Sequence, residues 1–133
     1  MSEIINPQDA ELEEIILGSC LIESKAITLI ADILRPEAFY NEKNLEIYAT
    51  LQSMYRNGQK IDIITVKEEL ARRGKLEFIG GPYTLAHISG RVASSAHLEY
   101  HARILKQKYI RRETILGFHK LLALAADETP DID

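Results

Sequence analysis

Residues 95–126 read SAHLEYHARILKQKYIRRETILGFHKLLALAA, a stretch with no proline and a single glycine, Gly117. Apolar side chains return at Leu98, Ala102, Leu105, Tyr109 and Leu116, three, four or seven positions apart, which is the repeat of one helix face. At about 1.5 Å per residue this predicts a rod about 45 Å long, more than a small core can cover. The first half is amphipathic. The second half, through Ile115, Leu116, Phe118, Leu121, Leu122 and Leu124, is apolar nearly all round and should be covered on more than one side. Whatever precedes Ser95 must therefore form a compact body at one end of the rod.

The preceding residues divide into short helical segments. Asn6 as N-cap and Pro7 at the first position open a first helix whose early turns hold Glu11, Glu13 and Glu14. Its inner face is Leu12, Ile15, Ile16, Cys20 and Leu21. Ser24 is placed to cap a second helix, Lys25 to Leu34, which Arg35-Pro36 stops. Asn41 caps a third, with the stripe Ile47, Tyr48, Leu51, Met54 and Tyr55, and Gly58 ends it. Lys60 to Ile64 is an extended connection, followed by a Thr65-to-Glu68 capping box and a helix ending at Gly74. Gly80-Gly81-Pro82 opens the helix Pro82 to Ser89, and Ser94 or Ser95 caps the rod. Short loops, no repeats and no convincing strand predict an all-α fold, a compact bundle of short helices followed by a long C-terminal helix.

At 133 residues and 46% apolar, the chain can build one core, with or without an arm. The net charge of −4 argues against a domain devoted to gripping DNA phosphate. Cys20 is alone, which excludes an internal disulfide, and its neighbours Leu17, Leu21 and Ile22 suggest a buried small apolar residue. The acidic N-terminus is unlike a signal peptide, and the uncharged run Ile15 to Ile22 is too short to span a bilayer. A soluble, intracellular protein is expected.

No catalytic constellation emerges, and neither a cofactor nor a metal site is expected in this chain. Gly80-Gly81 lacks the Lys-Ser/Thr pair and the strand of a phosphate loop. His97 and His101 stand four apart on the rod, but the segment is H-L-E-Y-H without an implied third ligand. Arg103, Lys106, Lys108, Arg111 and Arg112 spread over more than half the helix circumference, as a solvated surface would. The acidic pairs Glu13-Glu14 and Glu68-Glu69 likewise suggest exposed helix surface, and Glu99 can pair with Arg103. That leaves binding, through the apolar far end of the rod. Residues 127–133, DETPDID, look like a turn leading into another helix, so the chain is expected to be a piece of a longer protein.

Several ordered matches carry a resemblance: Pro7-Gln8 with Glu11, Glu13 and Leu17-Gly18-Ser19; Ile33-Leu34-Arg35-Pro36-Glu37-Ala38-Phe39-Tyr40; Gly58-Gln59 with Ile61-Asp62; Arg73-Gly74-Lys75-Leu76-Glu77; Ile79-Gly80-Gly81 with Tyr83; and Ser95-Ala96 with Glu99-Tyr100 and Ala102-Arg103-Ile104. Over Pro7 to about Arg112 the chain resembles the N-terminal domain of the bacterial replicative DNA helicase, the DnaB family. The pattern departs from the family at His97 and His101, and at Cys20 where an aliphatic is usual.

The resemblance implies a helical body over residues 1–94 and, over 95–133, the first arm of a helical hairpin. It implies sister subunits paired through hairpins within a hexamer, a collar that receives primase and in some cases a loader, and DNA contact through the full assembly. ATP and Mg would belong to a RecA-like C-terminal domain outside this chain, in a cytoplasmic helicase. The partner-binding residues it implies are Tyr83, Ile115 and Leu121, to which the apolar rod end adds Phe118 and Leu122. A stand-alone helical adaptor or loader-like protein would use the same body, and the coding sequence past Asp133 would distinguish the two.

Overall fold

The protein is described here from a computed structural model in which residues 7–127 are placed. Five α-helices follow in order, α1 (Ala10–Ile22), α2 (Glu42–Arg56), α3 (Ile63–Arg72), α4 (Pro82–Gly90) and α5 (Leu98–Ala126), with two 3-10 turns, Ala26–Leu29 and Pro36–Ala38, between α1 and α2. No strand occurs among the described residues. The all-α fold with its long last helix is as expected.

α1 is the central element and packs against α4, α5 and α2. Its face Leu12, Ile16, Leu17, Cys20 and Leu21 is buried, while Ile15 is half-buried. α2 brings Ile47, Tyr48, Leu51 and Met54 to the same core, and the Phe39 ring stacks on Tyr48 with centroids 4.7 Å apart. α5 closes the core with Leu98, Ala102 and Leu105, each at most 1% exposed. Burying Leu98 and Leu105 supplies roughly 1.5–3 kcal/mol apiece, and this helps hold the first half of the rod on the body.

One close approach depends on a missing side chain. Gly18 lies in α1 where α4 crosses, and a Cβ there would stand 2.5 Å from Val92 Cγ2 and 2.7 Å from the Ile88 carbonyl oxygen. Glycine lets the two backbones meet, and Arg91 at the end of α4 then reaches Glu14 at 2.9 Å and Glu11 at 3.5 Å.

Helix starts differ from expectation in three places. Asn6 lies outside the described residues; α1 starts after Asp9, whose Oδ1 accepts the Leu12 N–H at 3.0 Å, so Pro7 precedes the helix. The capping box is formed by Asp62 and Thr65 instead of Thr65 and Glu68: Asp62 accepts the Thr65 N–H at 2.8 Å and Thr65 Oγ1 accepts the Asp62 N–H at 2.9 Å. An aspartate three residues upstream caps first and turns Thr65 into the third helical residue. α5 begins at Leu98 with His97 as N-cap and no side-chain cap, while Ser94 Oγ accepts the Ala96 N–H in the turn before it. Asn41 does cap α2, accepting from the Lys43 and Asn44 amides.

The helix expected over Lys25 to Leu34 is instead a 3-10 turn followed by isolated turns. β-Branched Ile27, Thr28, Ile30 and Ile33 with Asp32 give it little helical preference. α2 then takes its carbonyls: Tyr48 Oη donates to Leu34 O at 2.9 Å and Gln52 Nε2 to Ala31 O at 3.0 Å. Its apolar anchors hold as expected, with Ile27, Ile30 and Leu34 buried and Ile33 half-buried.

Candidate protein-interaction surface

Large apolar side chains reach solvent in several parts of the chain, Leu29, Ile64 and Tyr100 among them; two of these parts hold the residues singled out for partner binding. On α4, Gly80 and Gly81 have φ of 107° and 81°, a backbone that L side chains rarely adopt. They turn the chain so that Pro82 starts the helix and Tyr83 follows at once. Tyr83 is 76% exposed and stacks on His87, with centroids 6.0 Å apart.

The second part is the end of α5. Leu116, Phe118, Leu121, Leu122 and Leu124 are between 41% and 71% exposed, and Ile115 is half-buried. No residue of α5 after Arg112 is buried. The cover that the apolar far end calls for is thus not provided by the described residues of the chain itself.

Helix geometry separates the two halves further. At about 100° per residue, Leu98, Ala102, Leu105 and Tyr109 fall within an arc of about 60°. Ile115, Phe118, Leu121 and Leu122 fall within another arc of about 120°, centred about 160° round the helix from the first, while Leu116 returns to the first arc and Leu124 lies about 40° outside it. α5 therefore carries two apolar stripes on nearly opposite sides. Up to Leu105 the first is buried against the body, whereas Phe118, Leu121 and Leu122 of the second are exposed and Ile115 is half-buried. Tyr83 belongs to a different neighbourhood: α4 packs on α1 and α3, and α5 on α1 and the two 3-10 turns.

Three charged residues expected at the surface are buried. Glu13 is 1% exposed and accepts from the Tyr40 N–H at 2.7 Å, the Asn41 N–H at 3.3 Å and Asn44 Nδ2 at 3.0 Å. Glu69 is 6% exposed and ion-paired with Arg72 and Arg73, with Arg72 Nε at 3.0 Å and Arg73 Nε at 3.1 Å. The Arg72 guanidinium first, and Arg73 with it, hold the Glu69 carboxyl below its ordinary value. Arg112 is 5% exposed and donates to backbone carbonyls far back in the chain. Partners 27 or more residues away, mostly backbone atoms, leave no local pattern for Glu13 or Arg112. Glu69 was findable, since arginines stand three and four positions on.

Nothing in these groups forms a reaction centre. Burial pushes the Cys20 thiol up to about 12, which keeps it protonated and unreactive. His97 and His101 face each other edge-on at 6.3 Å, and no cluster of three or more potential metal-ligating His, Cys, Asp or Glu occurs among the described residues. Glu99 and Arg103 do pair, at 2.9 Å, as an exposed i, i+4 bridge. No helix among the described residues is long and apolar enough to cross a membrane.

Comparison with known proteins accounts for this architecture. Residues 5–107 match the DnaB-like helicase N terminal domain family. The chain is 43% identical over 108 residues to the replicative DNA helicase DnaB of Rhodothermus marinus, a match covering 81% of this chain and 12% of that protein. It is 34% identical over 119 residues to the replicative DNA helicase DnaC of Bacillus subtilis, covering 86% of this chain and 26% of that one. The chain thus spans about an eighth to a quarter of the length of these relatives. Among solved structures, the N-terminal domain of DnaB helicase from Mycobacterium tuberculosis superposes with a TM-score of 0.87 at 30% identity, covering 92% of this chain and 89% of that one. A DnaB-like replicative helicase, described together with its interactions with primase, superposes at 0.76 and 29% identity, covering 86% of this chain and 27% of that chain. An all-helical body closed by the first half of a long helix, with sequence and fold matching over most of its length, belongs to the DnaB-like helicase N-terminal domain family.

Proposed function

We propose that this chain is the N-terminal interaction module of a hexameric replicative DNA helicase, joining subunits to one another and receiving primase. The observation that carries this is the second stripe of α5, which is apolar and, apart from the half-buried Ile115, left exposed by the described residues. Ile115, Phe118, Leu121 and Leu122 are the surface offered to sister subunits or primase, and Tyr83 is a separate primase contact. A loader would act on the same assembly, and DNA would be met by the full hexamer. ATP and Mg serve a C-terminal RecA-like domain of the whole protein, which works in the cytoplasm. The module catalyses nothing itself; its part is to place other chains.

Leu121→Glu and Ile115→Glu test this. Both variants keep the circular dichroism of the parent, because the first side chain is exposed and the second half-buried. Both lose binding in a pull-down with primase or in sedimentation of the subunit assembly. Intact folding with unchanged binding in both assays overturns the assignment.

A further inference from the structure

Arg112 sits where α5 leaves the body, and it is the last buried residue of that helix. Its Nη1 donates to the Pro7 carbonyl at 2.8 Å, and Nη2 lies 3.4 Å from Glu37 O and 3.3 Å from Ala38 O. The guanidinium also lies against two rings, 5.2 Å from the Tyr40 centroid and 5.5 Å from that of Tyr109. Among the described residues no carboxylate is paired with it. On the other side of the same run, Glu13 takes the N–H groups of Tyr40 and Asn41. One segment, residues 37–41, is thus held by an anion from α1 on its amides and by a cation from α5 on its carbonyls.

We propose that Arg112 is the positioning residue of the arm: it fixes the direction in which α5 leaves the body, and so the place where the second apolar stripe is presented. The importance of that stripe rests on the function proposed above; the clamp itself does not. Leu105 is the last fully buried apolar residue of α5. If the helix pivoted there, Leu124 would lie about 28 Å out, against about 18 Å from a pivot at Arg112. The same small angular play would then move the tip about half as far again. Arginine suits the post because its rigid fork reaches several carbonyls while its planar face lies against tyrosine rings, which the point charge of a lysine cannot do.

Native-state hydrogen exchange on the 133-residue chain tests the clamp without any partner. In the parent, amides of residues 106–112 are expected to share the protection of residues 102–105, with protection falling about tenfold or more beyond Arg112. A break just after Leu105 overturns the inference. In Arg112→Met the break should retreat to Leu105 while α1 and α2 stay protected, and Arg112→Lys, which keeps the charge, should move it the same way. Arg111→Met, at an exposed neighbour, should leave it in place. Unchanged protection of residues 106–112 in a folded Arg112 variant also overturns the clamp. An arm that binds no partner would remove the proposed function and leave the clamp standing; a break at Leu105 would do the reverse.

Discussion

The two halves of α5 both carry leucine and alanine and meet opposite fates. Leu98, Ala102 and Leu105 are at most 1% exposed, whereas Leu121 and Leu124, on the same helix, are 65% and 71% exposed. Helix propensity does not separate them, since leucine and alanine are good formers in either place. What differs is the surface opposite: α1 and the two 3-10 turns face the first half, and Arg112 marks the end of that contact. Apolar periodicity therefore states that a face wants burial and leaves open whether its own chain provides it.

The sharpest way to break the contrast is to weaken the body without touching the arm. Glu13→Ala removes the acceptor for two backbone amides and the Asn44 side chain, and should cost about 3 kcal/mol in urea denaturation. A change below about 1 kcal/mol would show that water replaces the carboxylate and that it does not organise the start of α2.

Gly18→Ala sharpens the contrast within the body. The new methyl would press on Val92 and the Ile88 carbonyl, so α4 must shift, at a cost of about 1–3 kcal/mol. The shift carries Tyr83 with it and should weaken only contacts made through α4, leaving those of the α5 tip intact. Equal loss at both surfaces would mean that they work as one patch.

The smallest effect concerns acid. Thr65 backbone and side-chain hydrogen bonds hold Asp62 below its ordinary value, as Arg72 and Arg73 do Glu69, and both carboxylates belong to α3. A lowered folded value means that the stabilisation is complete above the ordinary value, 4.5 for glutamate, and is lost as pH falls through the lowered one. Parent and Glu69→Gln should therefore differ most near neutrality, and their thermal transitions should converge in acid. A gap that widens on acidification would contradict the assigned sign.

Much of this was legible in the sequence because it is local. The stripe Ile47, Tyr48, Leu51 and Met54, the Asn41 cap and the run Leu98 to Tyr109 depend on spacing within one helix, and the structure keeps them. Asp62 displaced Thr65 as N-cap because two good caps compete three residues apart, and only the fold decides between them. Glu13 and Arg112 looked like ordinary surface charges because their partners are amides and carbonyls of distant turns, and backbone atoms leave no mark on residue type. The residues of the second α5 stripe were visible as apolar; their exposure was not, since the surface that would cover them is no part of the described chain.

The most direct test uses one residue type on one helix. Leu105→Ala should destabilise the chain by about 3 kcal/mol in equilibrium denaturation, as expected for truncation in a packed core. Leu121→Ala should change stability by less than about 0.5 kcal/mol while reducing association with sister subunits or primase. Comparable losses of stability in both variants, with association unchanged in Leu121→Ala, would contradict the division of α5 into a half that closes the body and a half that meets other chains.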